Sequence, residues 1–65
     1  MISQEDFESL GWKRHEDTDR YDNNPYMLIY RKGIMNMHRI AGETLFSGEI
    51  QEKQEFKTLL KQLEI

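Results

Sequence analysis

The stretch Leu45 to Ile65 reads LFSGEIQEKQEFKTLLKQLEI, a short strand running almost directly into an amphipathic helix. Phe56, Leu59, Leu60 and Leu63 fall at i, i+3, i+4 and i+7, which places them in one apolar stripe on a helix of about 3.6 residues per turn. Burying four such side chains contributes roughly 6 to 12 kcal/mol, while ordering the backbone of the helix costs on the order of 12 to 24 kcal/mol. The helix therefore cannot persist alone, and the rest of the chain is expected to supply a sheet for the stripe to lie on.

Sixty-five residues make a single domain, residues 1–65, close to the lower limit for one hydrophobic core without staples. The chain has no cysteine, so packing, self-association or a partner must do the work that disulfides or thiolate metal sites do elsewhere. No apolar run approaches the roughly twenty residues needed to span a bilayer. The opening MISQEDFE is acidic where a signal peptide would be basic and then apolar, so the expectation is a cytoplasmic protein with no membrane partner. The net charge of −3 is unevenly spread. Residues 1–11 carry three acids and no base, residues 12–40 six bases against four acids, and residues 41–65 five acids against three bases.

Ile2 to Trp12 reads as a short helix with both ends signalled. Ser3 is placed as N-cap with Asp6 as its reciprocal capping-box partner, and Ile2 and Phe7 as a hydrophobic staple around it. Gly11 can take the left-handed conformation that ends a helix, which brings Trp12 back against Phe7 in a Schellman arrangement.

Lys13 to His15 can form a strand, whereas Glu16 to Pro25 (EDTDRYDNNP) is polar, dense in Asp and Asn, and is expected to be a loop with Tyr21 folded back. Tyr26 to Arg31 (YMLIYR) is the strongest strand, Lys32-Gly33 a tight turn, and Ile34 to Ile40 the return strand. After a second turn at Ala41-Gly42-Glu43, Thr44 to Ile50 forms the last strand, in which Gly48 marks a bulge or a close approach of the helix. The expected fold class is α+β, a small antiparallel sheet of three to four strands with a short N-terminal helix and a C-terminal helix packed on one face.

A two-residue turn at Lys32-Gly33 pairs Tyr30 with Met35 and Leu28 with Met37, on one face with Tyr26. The other face carries Met27, Ile29, Ile34 and Ile40 with Asn36 and His38. Both faces are substantially apolar, and one C-terminal helix covers only one of them. The candidate binding residues are Tyr26, Leu28, Tyr30, Met35, Met37 and Arg39 on the sheet. Lys53, Lys57 and Lys61 join them, a stripe at i, i+4 and i+8 on the last helix whose plainer reading is a solvated flank.

Chemistry finds little support. His15 and His38 are the only imidazoles and lie on different strands, too few for a zinc site. Asp17, Asp19 and Asn23 imitate a calcium loop, but Asp22 stands where its glycine belongs and Leu28 where its glutamate belongs. Ser47 lacks the glycine pattern of a hydrolase elbow. No catalytic, metal or cofactor residue is assigned, no cofactor is expected, and the chain reads as no enzyme.

The opening QEDFESLGW and the closing LFSGEIQEKQEFKTLLKQLEI together resemble a loose group of small uncharacterised proteins of bacteria and their phages. The resemblance covers about half the chain, and its motifs are structural: the Leu10-Gly11-Trp12 cap, and Phe46, Gly48 and Ile50 leading into the helix. It implies a provenance in which small acidic cytoplasmic proteins bind and inhibit host or rival machinery. The leading expectation is a protein–protein interaction module, homodimeric or bound to another protein. The alternative is a nucleic-acid-binding module in which Lys13, Arg14, Arg31, Lys32 and Arg39 join Trp12, Tyr26 and Tyr30 in a basic and aromatic sheet surface.

Overall fold

The computed structural model describes all residues, Met1 to Ile65. The chain runs through helix α1 (Gln4–Ser9), strands β1 (Lys13–Arg14), β2 (Arg20–Asn23), β3 (Tyr26–Arg31), β4 (Ile34–Arg39) and β5 (Thr44–Glu49), and helix α2 (Lys53–Gln62). The five strands form one antiparallel meander in the order β1-β2-β3-β4-β5.

Helix α1 is only six residues long and is closed at both ends by local bonds. The Ser3 hydroxyl accepts from the Asp6 N–H at 3.1 Å, and the Asp6 carboxylate accepts from the Ser3 N–H at 3.2 Å. At the far end Gly11 adopts φ +89°, and the Trp12 N–H donates to the Phe7 carbonyl at 2.9 Å, as the Schellman geometry requires. The Lys32-Gly33 turn has φ of +52° and +78°, a mirror-image turn that a glycine makes accessible, and it sets the pairing of Tyr30 with Met35 and Leu28 with Met37.

The expected loop from Glu16 to Pro25 contains a strand, so the sheet has five strands and not three to four. Thr18 closes the turn that precedes β2, its hydroxyl donating to the His15 carbonyl at 2.6 Å and accepting from the Arg20 N–H at 3.1 Å. Strand β2 then pairs with β1 and with β3. Asp and Asn are poor strand formers, but Tyr21 is buried and its ring stacks on Phe7 at 4.2 Å between centroids. On the opposite side of the same strand Arg20 Nε donates to Asp22 Oδ1 at 2.7 Å.

Gly48 also differs from expectation. The irregularity in the sheet lies between Met37 and His38 opposite the start of β5, and the atoms nearest to where a Cβ on Gly48 would stand belong to the Phe46 ring.

Both helices lie on one side of the sheet. Phe7 of α1 meets Phe56 of α2 edge-to-face at 5.2 Å and Tyr30 of β3 at 5.3 Å. The ammonium of Lys53 is 3.9 Å from Asp6 Oδ1, joining the N-terminal turns of the two helices. The core beneath them consists of Ile2, Phe7, Trp12, Tyr21, Leu28, Tyr30, Met35, Met37, Ile50, Phe56 and Leu59. No helix is long and apolar enough to cross a membrane.

Candidate docking face

The register sorts the sheet residues into two faces. Tyr21, Leu28, Met37 and Phe46 stand side by side across β2 to β5, as do Tyr30, Met35 and Gly48 across β3 to β5. These rows face the helices. Successive strand residues point to opposite sides, so Arg20, Ile29, Asn36 and Ser47 form a row on the open face. So do Asp22, Met27, His38 and Thr44, and so do Arg31, Ile34 and Glu49.

Most sheet residues singled out from the sequence belong to the covered face. Leu28, Met35 and Met37 are fully buried, and Tyr30 is nearly so. The Tyr30 hydroxyl donates to the Ile50 carbonyl at 2.7 Å and accepts from the Ile2 N–H at 3.2 Å. These four residues are core, because the stripe of α2 and the aromatic side chain of α1 both settle on the more apolar face. Tyr26 is half-buried at the margin, with the Arg39 guanidinium 5.4 Å from its ring centroid. Arg39 is exposed and its Nε lies 3.3 Å from Glu43 Oε1. On α2, Lys53 is half-buried against Asp6, while Lys57 and Lys61 are exposed and in no ion pair.

The aromatic platform that nucleic-acid stacking needs is not on the open side. Trp12 and Tyr30 are buried in the core, and the open-face guanidiniums of Arg20 and Arg31 are bonded to Asp22 and Asp19. His15 Nδ1 is 3.9 Å from Asp22 Oδ2, and no three His, Asp or Glu side chains converge as metal ligands would.

The open face holds Met27 and Ile29 half-buried among their strand neighbours, and Ile34 at 45% exposure. At the hairpin end of β3 and β4 it dips into a hollow of about 350 Å³ lined by Ile29, Arg31, Lys32, Ile34 and Asn36. The polar equipment of that hollow is one-sided. Ser47 Oγ donates to Asn36 Oδ1 at 2.6 Å, which occupies the amide oxygen and leaves the amide N–H groups free to donate. Arg31 Nε is taken by Asp19 Oδ2 at 2.8 Å, leaving the other guanidinium nitrogens and the Lys32 ammonium as donors. An apolar floor beneath donors and cations is chemically suited to a carboxylate on an aliphatic stem.

Ile29, Ile34 and Asn36 are readable from the sequence as members of one face, whereas Arg31 and Lys32 enter that reading only among the bases of the nucleic-acid alternative, and none of the five is singled out there as a docking site. The signal was in the pattern: Asn36 and His38 interrupt this face, whereas Leu28, Tyr30, Met35 and Met37 do not, so the helices bury the uninterrupted one. Comparison with family models, with curated proteins and with solved structures gave no match.

Proposed function

We propose that this chain is a small protein–protein docking module whose working surface is the open face of its sheet. The observation that carries the reading is the placement of both helices on one side, which leaves Met27, Ile29 and Ile34 without a covering layer. Sheets that are apolar on a face normally bury it against another element. A binding role accords with a surface in which hydrogen-bond donors and cations stand beside apolar side chains. If the resemblance to small bacterial and phage proteins holds, the module acts by occupying a surface on a host or rival protein. Nucleic acid is the weaker reading, because two of the three aromatic residues it required, Trp12 and Tyr30, are in the core, and Tyr26 is half-buried at its margin.

The test is a comparative pull-down from bacterial lysate with two immobilised baits, the unaltered chain and the double variant Ile29→Lys/Ile34→Glu. Proteins retained by the first and lost with the second support the reading. Identical retention by the two baits, with both shown folded by circular dichroism, removes the open face as the docking surface.

A further inference from the structure

Resting on that docking reading, we infer that the partner of the open face is a second copy of this chain, packed face to face so that Glu49 of each copy enters the hollow beside Arg31 of the other. The inference starts from one row of the sheet. Arg31, Ile34 and Glu49 are direct neighbours across β3, β4 and β5, all pointing to the open side. Neighbouring strands are about 4.8 Å apart, so Arg31 and Glu49 stand on either side of Ile34 at nearly equal spacing.

A two-fold axis running along β4 through this row exchanges the flanks. It sets Ile34 against Ile34, Arg31 of each copy against Glu49 of the other, and the β3 residues Ile29 and Met27 against Ser47 and Thr44. A self-complementary patch of this kind is what an isologous dimer needs. Strand directions stay aligned under the operation, and the sheet twist then gives the usual crossing of about −30° for packed sheets.

The chemistry of the two halves fits. The hollow offers only donors and cations above Ile29 and Ile34, and Glu49 is exposed, belongs to no ion pair, and has one carboxylate oxygen engaged by its own Gln51 amide at 2.7 Å. Its other oxygen is available. Covering Ile34, the most exposed apolar side chain within the strands, supplies the apolar centre.

The geometry also sets the strength. Three strands of six residues, at about 4.8 Å between strands and 3.3 Å per residue, present a footprint of roughly 290 Å² per copy, well below the roughly 800 Å² per partner of a standard stable interface. The dimer is accordingly a weak one, forming in the micromolar to millimolar range.

Sedimentation velocity of the full chain over that range, at low and at moderate salt, tests the inference. The unaltered chain is expected to shift from monomer to dimer with concentration. Arg31→Glu and Glu49→Lys are each expected to weaken the dimer about tenfold or more, since each sets like charges against one another twice. An equimolar mixture of the two variants is expected to recover association to within about threefold of the unaltered chain, because the mixed dimer restores both pairs with opposite charges. Glu49→Lys disturbs no ion pair of the fold, so its loss of association cannot be laid to Arg31 leaving Asp19. A chain that stays monomeric at the highest concentration overturns the inference. So does a mixture that associates no better than its components, or a dimer indifferent to both variants. A monomeric chain whose pull-down partners still depend on Ile29 and Ile34 overturns the second copy alone and leaves the docking reading standing.

Discussion

The ring of Phe46 lies over Gly48, its Cζ 3.1 Å from the point where a Cβ on Gly48 would stand. Two residues apart on β5, they share the covered face, and the ring lies along the strand to fill the space that the glycine leaves. Gly48 is not in the left-handed region, so its requirement is room and not backbone freedom. Gly48→Ala is therefore expected to cost about 1 kcal/mol through displacement of the ring, in spite of the entropy that alanine would otherwise save. In a Phe46→Leu background the same change should be nearly neutral. Urea denaturation of the four proteins of this cycle checks it, and equal costs in both backgrounds would refute the account.

Tyr30 ties three parts of the chain together through one hydroxyl, which bonds to Ile2 before α1 and to Ile50 before α2. Tyr30→Phe keeps the packed ring but leaves a buried N–H and a buried carbonyl without that partner. The expected cost is about 2 kcal/mol. Hydrogen exchange at Ile2 should accelerate by more than the change in global stability explains, because the segment before α1 loses its long-range tether. A uniform acceleration over all slowly exchanging amides would instead mean that the hydroxyl acts only through overall stability.

These two cases also show what the sequence could and could not reveal. The caps of α1 were legible because Ser3, Asp6, Gly11 and Trp12 act on their immediate neighbours, and the β3–β4 register because a two-residue turn determines it. Strand β2 was not legible: its four residues hold an Asp and an Asn, and it is a strand because Tyr21 stacks on Phe7 far away in the chain. The side chosen by α1 was hidden for the same reason, since it follows from Phe7 meeting Phe56. Of the candidate binding residues, Leu28, Tyr30, Met35 and Met37 were misplaced because alternation yields two faces but does not say which one the helices take. That choice rests on a comparison of the two, in which Asn36 and His38 tell against their own face.

Phe7 is the hub of the aromatic core, within 4.2 Å of Tyr21 and 5.2 to 5.3 Å of Phe56 and Tyr30 by ring centroids. A six-residue helix has no stability of its own, so α1 is held by this side chain together with Ile2. Phe7→Ala should cost about 3 to 5 kcal/mol. For a domain of this size, with roughly 3 to 10 kcal/mol in total, that removes from about a third to all of the stability. Phe7→Leu should retain a cooperative transition at lower temperature. A folded Phe7→Ala protein with sharp amide dispersion for β2 would show that Tyr21 and the strand do not depend on α1.

The carboxyl of Asp6 is held below its ordinary value of 3.8, first by the Ser3 backbone N–H that it accepts, with the Ser3 hydroxyl and the Lys53 ammonium acting in the same direction against some desolvation. A carboxyl with a depressed folded value contributes stability that is fully present above the unfolded value and lost as the pH falls through the folded one. The capping box should thus weaken only below about pH 4. Asp6→Asn removes this titration, so its urea midpoint should fall less steeply than that of the unaltered chain over that acid range and run parallel to it above. Parallel curves throughout would mean that Asp6 does not contribute to the acid limb.

Helix α2 ends in a Schellman motif that lacks the residue such a motif favours. The Ile65 N–H donates to the Leu60 carbonyl at 2.9 Å, the Glu64 N–H to the Lys61 carbonyl at 3.1 Å, and Glu64 itself sits at φ +58°. Two penalties meet there. A side chain with a Cβ is strained in the left-handed region, and a carboxylate at a helix C-terminus opposes the helix dipole. Glu64→Gly removes both and should stabilise the fold by about 1 kcal/mol, a rise in Tm of about 4 to 8 °C for a chain this short. Glu64→Gln removes only the charge and should gain a few tenths of a kcal/mol. The gain for Gly must exceed that for Gln, since backbone strain is the larger penalty. Thermal melts of the three proteins at low and high salt separate the two, because only the dipole contribution is screened. A Gly variant no more stable than the Gln variant would place the whole effect in the charge.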